Sequence, residues 1–287
     1  MIAGGPRVVA IGGGHGLAAS LRACATYAGS LAAVVSVADD GGSSGRLRAV
    51  TGLPAMGDLR HCLTALAAPE RADVGAALEA RFGGHAVGNL LVAALAAEHG
   101  FLGAIDRFGD LLGVTAKVFP ATIEPVQLVA TDVLGETIRG QVAVQTTTGI
   151  ERVVLDPATP AATAGAIAAL AVADQVVLGP GSLYTSVLAA LAVPALREAV
   201  VAAPGRRVFV CNLRPQEPET GGYDVAAHVA ALARHGVEVD VVLCHPRALP
   251  IGDLGVAKVE VVEAPVSRPH GLAHDPSLLG PALAALL

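Results

Sequence analysis

A short β-branched run, Arg7 to Ile11, ends at Gly12-Gly13-Gly14-His15-Gly16, apolar residues at helical spacing follow from Leu17 to Tyr27, and a second strand-like run covers Ala32 to Ala38. Strand, glycine turn, helix and strand in immediate succession predict a βαβ unit, which commits a chain to parallel strands with helices packed on the sheet. The same order returns in the second half. Ala161 to Ala173 reads as a helix, and Gln175 to Leu178 as a buried strand that stops at Gly179-Pro180-Gly181. Arg207 to Cys211 and Val237 to Cys244 are further strands with a helix, Asp224 to His235, between them, and Pro276 to Leu287 is a helix with Asp275 as its N-cap.

The fold class expected is therefore α/β: Rossmann-like and doubly wound, with a mainly parallel sheet, helices on both faces and a small antiparallel elaboration in mid-chain. Asp58 to Leu112 is helical, with breaks at Pro69, Gly83-Gly84 and around Gly100. Val126 to Val133 and Gly140 to Thr146 read as antiparallel strands, and Val153 to Leu155 as the return to the main sheet. One α/β domain over residues 1–287, with an inserted subdomain around 115–155, accounts for the length.

Hydrophobic residues make up 53% of the chain and aromatics 3%, so the core must be built from Ala, Val and Leu. A formal net charge of −6 argues against a nucleic-acid partner, which would require a basic face. Cys24, Cys62, Cys211 and Cys244 are scattered without a CxxC pair, which suits a reducing cytoplasm. Glycines 12 to 14 interrupt the apolar run that a secretory signal would need, and Gly179, Pro180, Gly181, Ser182 and Pro194 divide the uncharged stretch from Gln175 to Leu196. The expectation is a cytoplasmic chain with no membrane insertion.

The candidate site residues cluster behind strands. Gly12, Gly13, Gly14, His15 and Gly16, with Leu17 after them, occupy a strand-to-helix turn where backbone N–H groups and the helix dipole favour an anion. The second strand runs into Asp39 and Asp40, then Gly41, Gly42, Ser43 and Ser44, closed by Arg46 and Arg48. Carboxylates can hold a ribose hydroxyl or Mg²⁺, Gly/Ser amides can curl around an anion, and guanidiniums can fork onto phosphate. Simple turn formation is a third use for the aspartates, and an adjacent pair points its side chains in different directions, so one can bind ligand while the other holds the loop. Asp58 fits either an N-cap or a metal ligand.

Three later segments join the list. His85 and Asn89, between two helical patterns, place an imidazole and an amide near a sugar or base, or form a glycine-permitted junction. Gly179, Pro180, Gly181, Ser182 and Thr185 repeat the first turn's logic as a second anion site. The spacing around Ser182 is not Gly-x-Ser-x-Gly, which argues against a serine hydrolase. Asn212, Gln216, Glu219 and Thr220 lie in a polar loop behind another strand, and His274 and Asp275 form either a pocket wall or a helix cap.

Ile11 to Leu17, Val37 to Arg48, Gly57 to Arg60, Gly84 to Leu91, Leu178 to Val187, Asn212 to Thr220 and His274 to Pro276 resemble, in order, the motifs of the gluconeogenesis factor or YvcK family. That family is related to the 2-phospho-lactate transferase (CofD) of deazaflavin cofactor synthesis. The resemblance implies a cytosolic homodimer that binds a nucleotide-sugar such as UDP-N-acetylglucosamine. It further implies a regulator of carbon flux between gluconeogenesis and peptidoglycan precursors, acting on cell shape through a protein partner in cell-wall precursor metabolism. By the same resemblance, Asp39 or Asp40, with Asp58, would hold Mg²⁺ beside a diphosphate. The chain departs from the family at His15, Met56, Glu217-Pro218 and Ala273, the last standing where members often carry an Arg.

Two hypotheses remain open: a nucleotide-sugar-binding regulator without turnover, and a Mg²⁺-dependent phosphoryl or nucleotidyl transferase. A dehydrogenase ranks below both, because a clean GxGxxG is missing.

Overall fold

The computed structural model describes residues 2–287. β1 (Arg7–Gly12), α1 (Gly14–Cys24) and β2 (Ser30–Val35) form the leading βαβ unit, paired in parallel from Arg7 opposite Ser30 to Gly12 opposite Val35. Helices α2 (Gly42–Thr51), α3 (Gly57–Ala65) and α4 (Ala72–Glu79) follow, then a small hairpin, β3 (Arg81–Phe82) with β4 (His85–Ala86). The long α5 (Val87–Leu111) returns the chain to β5 (Lys117–Pro120) beside β2.

Next come β6 (Gln127–Asp132), β7 (Thr137–Arg139), α6 (Gln141–Gln145) and β8 (Ile150–Asp156). The doubly wound pattern resumes with α7 (Ala164–Leu170), β9 (Gln175–Leu178), α8 (Leu188–Leu191), α9 (Pro194–Ala202), β10 (Arg206–Val210) and α10 (Val225–Arg234). β11 (Val241–Cys244), β12 (Glu260–Glu263) and α11 (Pro276–Ala284) complete it.

The main sheet has the order β12-β11-β10-β9-β1-β2-β5, and every neighbouring pair is parallel. Its strands are apolar on both faces because helices cover both, so Val8 to Ile11 and Val176 to Leu178 are all buried. Each such Val, Leu or Ile contributes about 1.5–3 kcal/mol by leaving water. From β1 the chain builds outward through β2 and β5, whereas from β9 it builds the other way. The reversal between β1 and β9 is the topological switch point, where a crevice opens outside the strands' carboxyl ends. Both strands end there in glycine turns.

α5 is long and apolar enough to cross a membrane, yet it is broken at Gly100 (φ 69°, ψ 169°) and buries Phe101, Ala104, Ile105 and Phe108 in the protein core. One face of α5 is thus part of the core, and the other, with Glu98, Asp106, Arg107 and Asp110, is exposed.

The middle of the chain departs from the sequence expectation. Gly140 to Thr146 is not a strand: Gly140 turns at φ 97° and Gln141–Gln145 coil into α6. Alternating valines suggested β structure, but the helix buries Val144 and its first amides find a carboxylate from the distant Asp40. Val153 to Leu155 does not return to the main sheet; it lies within β8, antiparallel to β6 in the three-stranded sheet β7-β6-β8. Val237 to Asp240 precede β11, with the Val237 N–H closing the end of α10 on Leu232.

Candidate functional site

The two glycine turns touch. Gly12 and Gly14 adopt φ 156° and 57°, and Gly179 and Gly181 adopt 73° and 130°. A Cβ on Gly16 would stand 2.2 Å from the Pro180 carbonyl oxygen, so the first turn of α1 rests directly on backbone of the second loop. Ser20 Oγ donates to the Gly179 carbonyl at 2.6 Å and ties the pair together.

Two of three nearby aspartates converge on this junction. Asp58 lies in the first turn of α3, where Met56 occupies the cap position without a side-chain bond, so Asp58 is not the N-cap. Its carboxylate faces the β1–α1 turn and accepts the Gly14 N–H; Gly13 packs so closely that a Cβ would lie 2.3 Å from Oδ2. Burial, and then the charge of Asp39, raise the Asp58 carboxyl to about 6 against the opposing pull of His61, the Gly14 N–H and Arg60. Asp39 accepts the Gly41 N–H at 2.8 Å and borders the same crevice. Asp40 turns away: its two oxygens accept the N–H groups of Gln141 (3.2 Å) and Val142 (3.1 Å). The aspartate pair thus divides, and Asp40 is a loop and helix anchor.

The second turn holds a carboxylate too. Buried Glu219 accepts the Tyr184 N–H at 2.7 Å, the Thr185 N–H at 3.1 Å and the Ser182 hydroxyl. Both strand-to-helix turns expected to cradle an anion therefore already receive a carboxylate of the protein. The reason is geometric: such turns attract the nearest acid, and Asp58 and Glu219 arrive from other elements. An anionic ligand meets acidic walls at this centre unless it brings a cation.

On either side the crevice widens into two compartments. The larger, about 680 Å³, is lined by Arg22, Arg214 and Arg268, by His15, His61 and His274, and by Asn212, Gln216 and Ala273. The smaller, about 430 Å³, is lined by Asp39 and Asp58, by Ser36, Ser182, Thr185 and Ser186, and by Gln141, Gln145 and Gln216. Among the described residues no Arg or Lys lines the smaller one. His15, Gly16, Gly181 and Gln216 border both.

Several expected site residues lie elsewhere. Arg46 donates to the Gly84 carbonyl at 2.6 Å, on the β3–β4 turn, and lines neither compartment. Ser43 Oγ accepts from Asn89 Nδ2 at 3.1 Å and pairs with His85 Nδ1 at 3.2 Å, so these three fasten α2 to the start of α5. Ser44 packs against Gly57. Leu17 is a core residue, and buried Thr220 accepts the Gln216 N–H at 2.9 Å as part of its own loop. Asn212 and Gln216 do face the crevice; Asn212 also brackets Gly181 through Oδ1 (3.1 Å) and Nδ2 (2.9 Å).

Sequence reasoning missed Arg22, Arg214 and Arg268 of the large compartment and Gln141 and Gln145 of the small one, where Gln216 is the one glutamine it expects. Arg22 carried a signal: His15, Ala18, Ala19 and Arg22 share one face of α1 at helical spacing, and all four line the cavity. Nothing local marks Arg268, Gln141 or Gln145, which arrive from distant segments.

Asp39 and Asp58 suit a hard cation such as Mg²⁺, which takes one or two carboxylates and completes its shell with water and substrate phosphate. The fit rests on placement: Asp39 and Asp58 line the same small compartment, and burial, then the neighbouring charge of Asp39, disfavour the ionised form of Asp58 in a way that a cation would offset. Among the described residues no cluster of three or more His, Cys, Asp or Glu forms a full protein cage. Asp40 is excluded by its commitment to α6.

A family model described as 2-phospho-L-lactate transferase CofD matches residues 8–264. A putative gluconeogenesis factor of Mycobacterium tuberculosis is 40% identical over 304 aligned positions, which cover 96% of this chain and 89% of that protein. The chain belongs to the CofD-like gluconeogenesis factor family. The gluconeogenesis factor of Bacillus subtilis is 38% identical over 80% of this chain and 75% of that protein. A putative gluconeogenesis factor of Deinococcus radiodurans is 44% identical over 80% of this chain, and the match spans about half of that longer relative (51%). The crystal structure of a UPF0052 family member from Bacillus halodurans superposes with a TM-score of 0.91 at 33% identity, covering 99% of each chain. That UPF0052 protein thus shares the overall fold described above.

Proposed function

We propose that this gluconeogenesis factor family member binds a nucleotide-sugar of the UDP-N-acetylglucosamine type and acts as a regulator of carbon flux between gluconeogenesis and cell-wall precursor synthesis, with consequences for cell shape. The observation that carries the reading is the division of one crevice into a cationic compartment and an acidic, amide-rich one. A nucleoside diphosphate joined to a sugar has matching ends: an anionic nucleotide part and a neutral hydroxylated part. Arg22, Arg214 and Arg268 supply charge for the former. A regulator needs no catalytic base; it needs occupancy to change the affinity for a protein partner. The setting is the cytoplasm, and the assembly a homodimer.

Asp39 and Asp58 favour a second reading, a Mg²⁺-dependent phosphoryl or nucleotidyl transferase. When bound, Mg²⁺ supplies charge neutralisation for a diphosphate. The chain's own residues hold that cation, keep the β1–α1 turn in place through the Gly14 N–H bond to Asp58, and present His15 at the junction of the compartments.

Calorimetric titration with UDP-N-acetylglucosamine, UDP-glucose and NAD⁺, each with and without Mg²⁺, tests both. The regulator reading expects sugar-selective UDP-conjugate binding and no change in the ligand after prolonged incubation. Absence of UDP-sugar binding overturns it, and ligand turnover in the presence of Mg²⁺ moves the assignment to the transferase.

A further inference from the structure

We propose that α6 is a specificity wall of the crevice, in which Gln141 and Gln145 read the neutral, hydroxyl-bearing end of the ligand while Asp40 positions them. The proposal rests on the nucleotide-sugar reading above. The wall is the connection between β7 and β8 of the three-stranded antiparallel sheet, so it reaches the smaller compartment from outside the doubly wound sheet that carries Asp39 and Asp58.

Its placement depends on close backbone packing. Gly140, at φ 97°, lies where a Cβ would stand 2.4 Å from Asp40 Oδ2, and a Cβ on Gly41 would stand 2.9 Å from Val142 Cγ2. The Asp40 carboxylate takes the first two N–H groups of α6 across about 100 residues of chain, at 3.2 and 3.1 Å. Gln141 and Gln145 are one helical turn apart and share a face, with Gln141 Nε2 donating to Gln145 Oε1 at 3.5 Å. This long contact leaves both amides able to re-pair with a ligand.

The chemistry of the wall selects the ligand group. A carboxamide donates and accepts, so it matches a hydroxyl or an N-acetyl group, both of which do the same. A phosphate would call for Arg or Lys, and among the described residues neither lines this compartment. Because Asp39 and Asp40 are adjacent, the loop that brings a carboxylate to the crevice also sets the distance of the wall.

The test compares UDP with UDP-N-acetylglucosamine by calorimetry in the full chain. In the unsubstituted protein the sugar conjugate binds more tightly than UDP. Gln145→Ala and Gln141→Ala each weaken the conjugate by about five- to tenfold, the loss of roughly one hydrogen bond, while UDP changes less than about twofold. Gln145→Asn retains part of the selectivity, and Asp40→Ala loses it by releasing α6. Gln145 is exposed, so its variants fold, as a circular dichroism melt verifies. Parallel weakening of both ligands, or no change in their ratio, overturns the wall and leaves the nucleotide-sugar reading standing. Binding of neither ligand by the unsubstituted protein overturns both.

Discussion

Arg60 Nη2 donates to His61 Nε2 at 2.6 Å, and this contact decides where the imidazole proton sits. A guanidinium only donates, so Nε2 must accept and the proton resides on Nδ1, facing Glu79 Oε2 at 3.2 Å. Arg60 itself is only 2% exposed, with Nε and Nη1 unpartnered, and its charge is answered by Glu79 at 3.2 Å. Burial pushes the Glu79 carboxyl up, but hydrogen bonds from His61 and Thr64 and the charge of Arg60 outweigh it and hold it at about 2. The two partners are unequal, since Glu79 opens on the large compartment and Arg60 does not.

Removing either partner therefore has a different cost. Glu79→Ala strands a buried guanidinium and lowers the unfolding free energy by about 3–5 kcal/mol, whereas Arg60→Met leaves a carboxylate that water can reach and costs less. Urea denaturation of the two variants checks the order; equal losses would mean that Arg60 rehydrates.

Asp58 ties stability to pH. Its carboxyl titrates near 6 in the folded chain against about 3.9 when unfolded, so the native state holds the proton more tightly. That contribution is complete below about pH 4 and disappears as the pH rises through 6. Because the group borders the crevice, water reduces the full effect to about 2 kcal/mol. Asp58→Asn keeps an acceptor for the Gly14 N–H while removing the charge, so its melting temperature between pH 4 and 7 varies less than that of the parent. Mg²⁺ should raise the parent's melting temperature at pH 7 and leave the variant's unchanged. Identical pH profiles for the two proteins would place the titration elsewhere.

Gly16 sets the distance between the two strand ends. Alanine is ordinarily favoured over glycine in a helix by about 0.5–1 kcal/mol, but here its methyl group would meet a backbone carbonyl at 2.2 Å. Overpacking of that kind costs about 1–3 kcal/mol, so the clash wins. Gly16→Ala lowers the melting temperature and weakens any ligand spanning both compartments. Gly52→Ala is the control: at φ 69° and with open space around it, it carries only a left-handed penalty of about 1–2 kcal/mol and leaves binding unchanged.

The main sheet could be read from the chain because its strands are apolar on both faces and end in glycine turns, so period and punctuation agree. α6 could not: Gln-Val-Ala-Val-Gln alternates like a strand, and its helical state depends on the distant Asp40 and on the burial of Val144. The site divides along the same line. Turn residues such as Gly14 and Gly181 are local signals, and Arg22 shares a helix face with His15, whereas Arg268 and Gln145 reach their compartments only through topology. Glu219 was legible as a loop residue, but its role as the acid filling a helix start was not, because that role is a contact across more than 30 residues.

Arg46 gives the sharpest contrast between motif and geometry. Its place after a Gly/Ser run suggests a phosphate clamp, and a charge-assisted bond of that kind is worth about 1.5–3 kcal/mol, or roughly ten- to a hundredfold in affinity. In the fold its guanidinium instead donates to the Gly84 carbonyl at an exposed site. Arg46→Ala should thus change the affinity for UDP-N-acetylglucosamine by less than about twofold and cost under about 1 kcal/mol of stability. Arg214→Ala and Arg268→Ala, from the wall of the large compartment, should each weaken it by at least about tenfold. A large loss with Arg46→Ala and none with the other two would mean that the nucleotide lies over α2, and would reverse the assignment of the compartments.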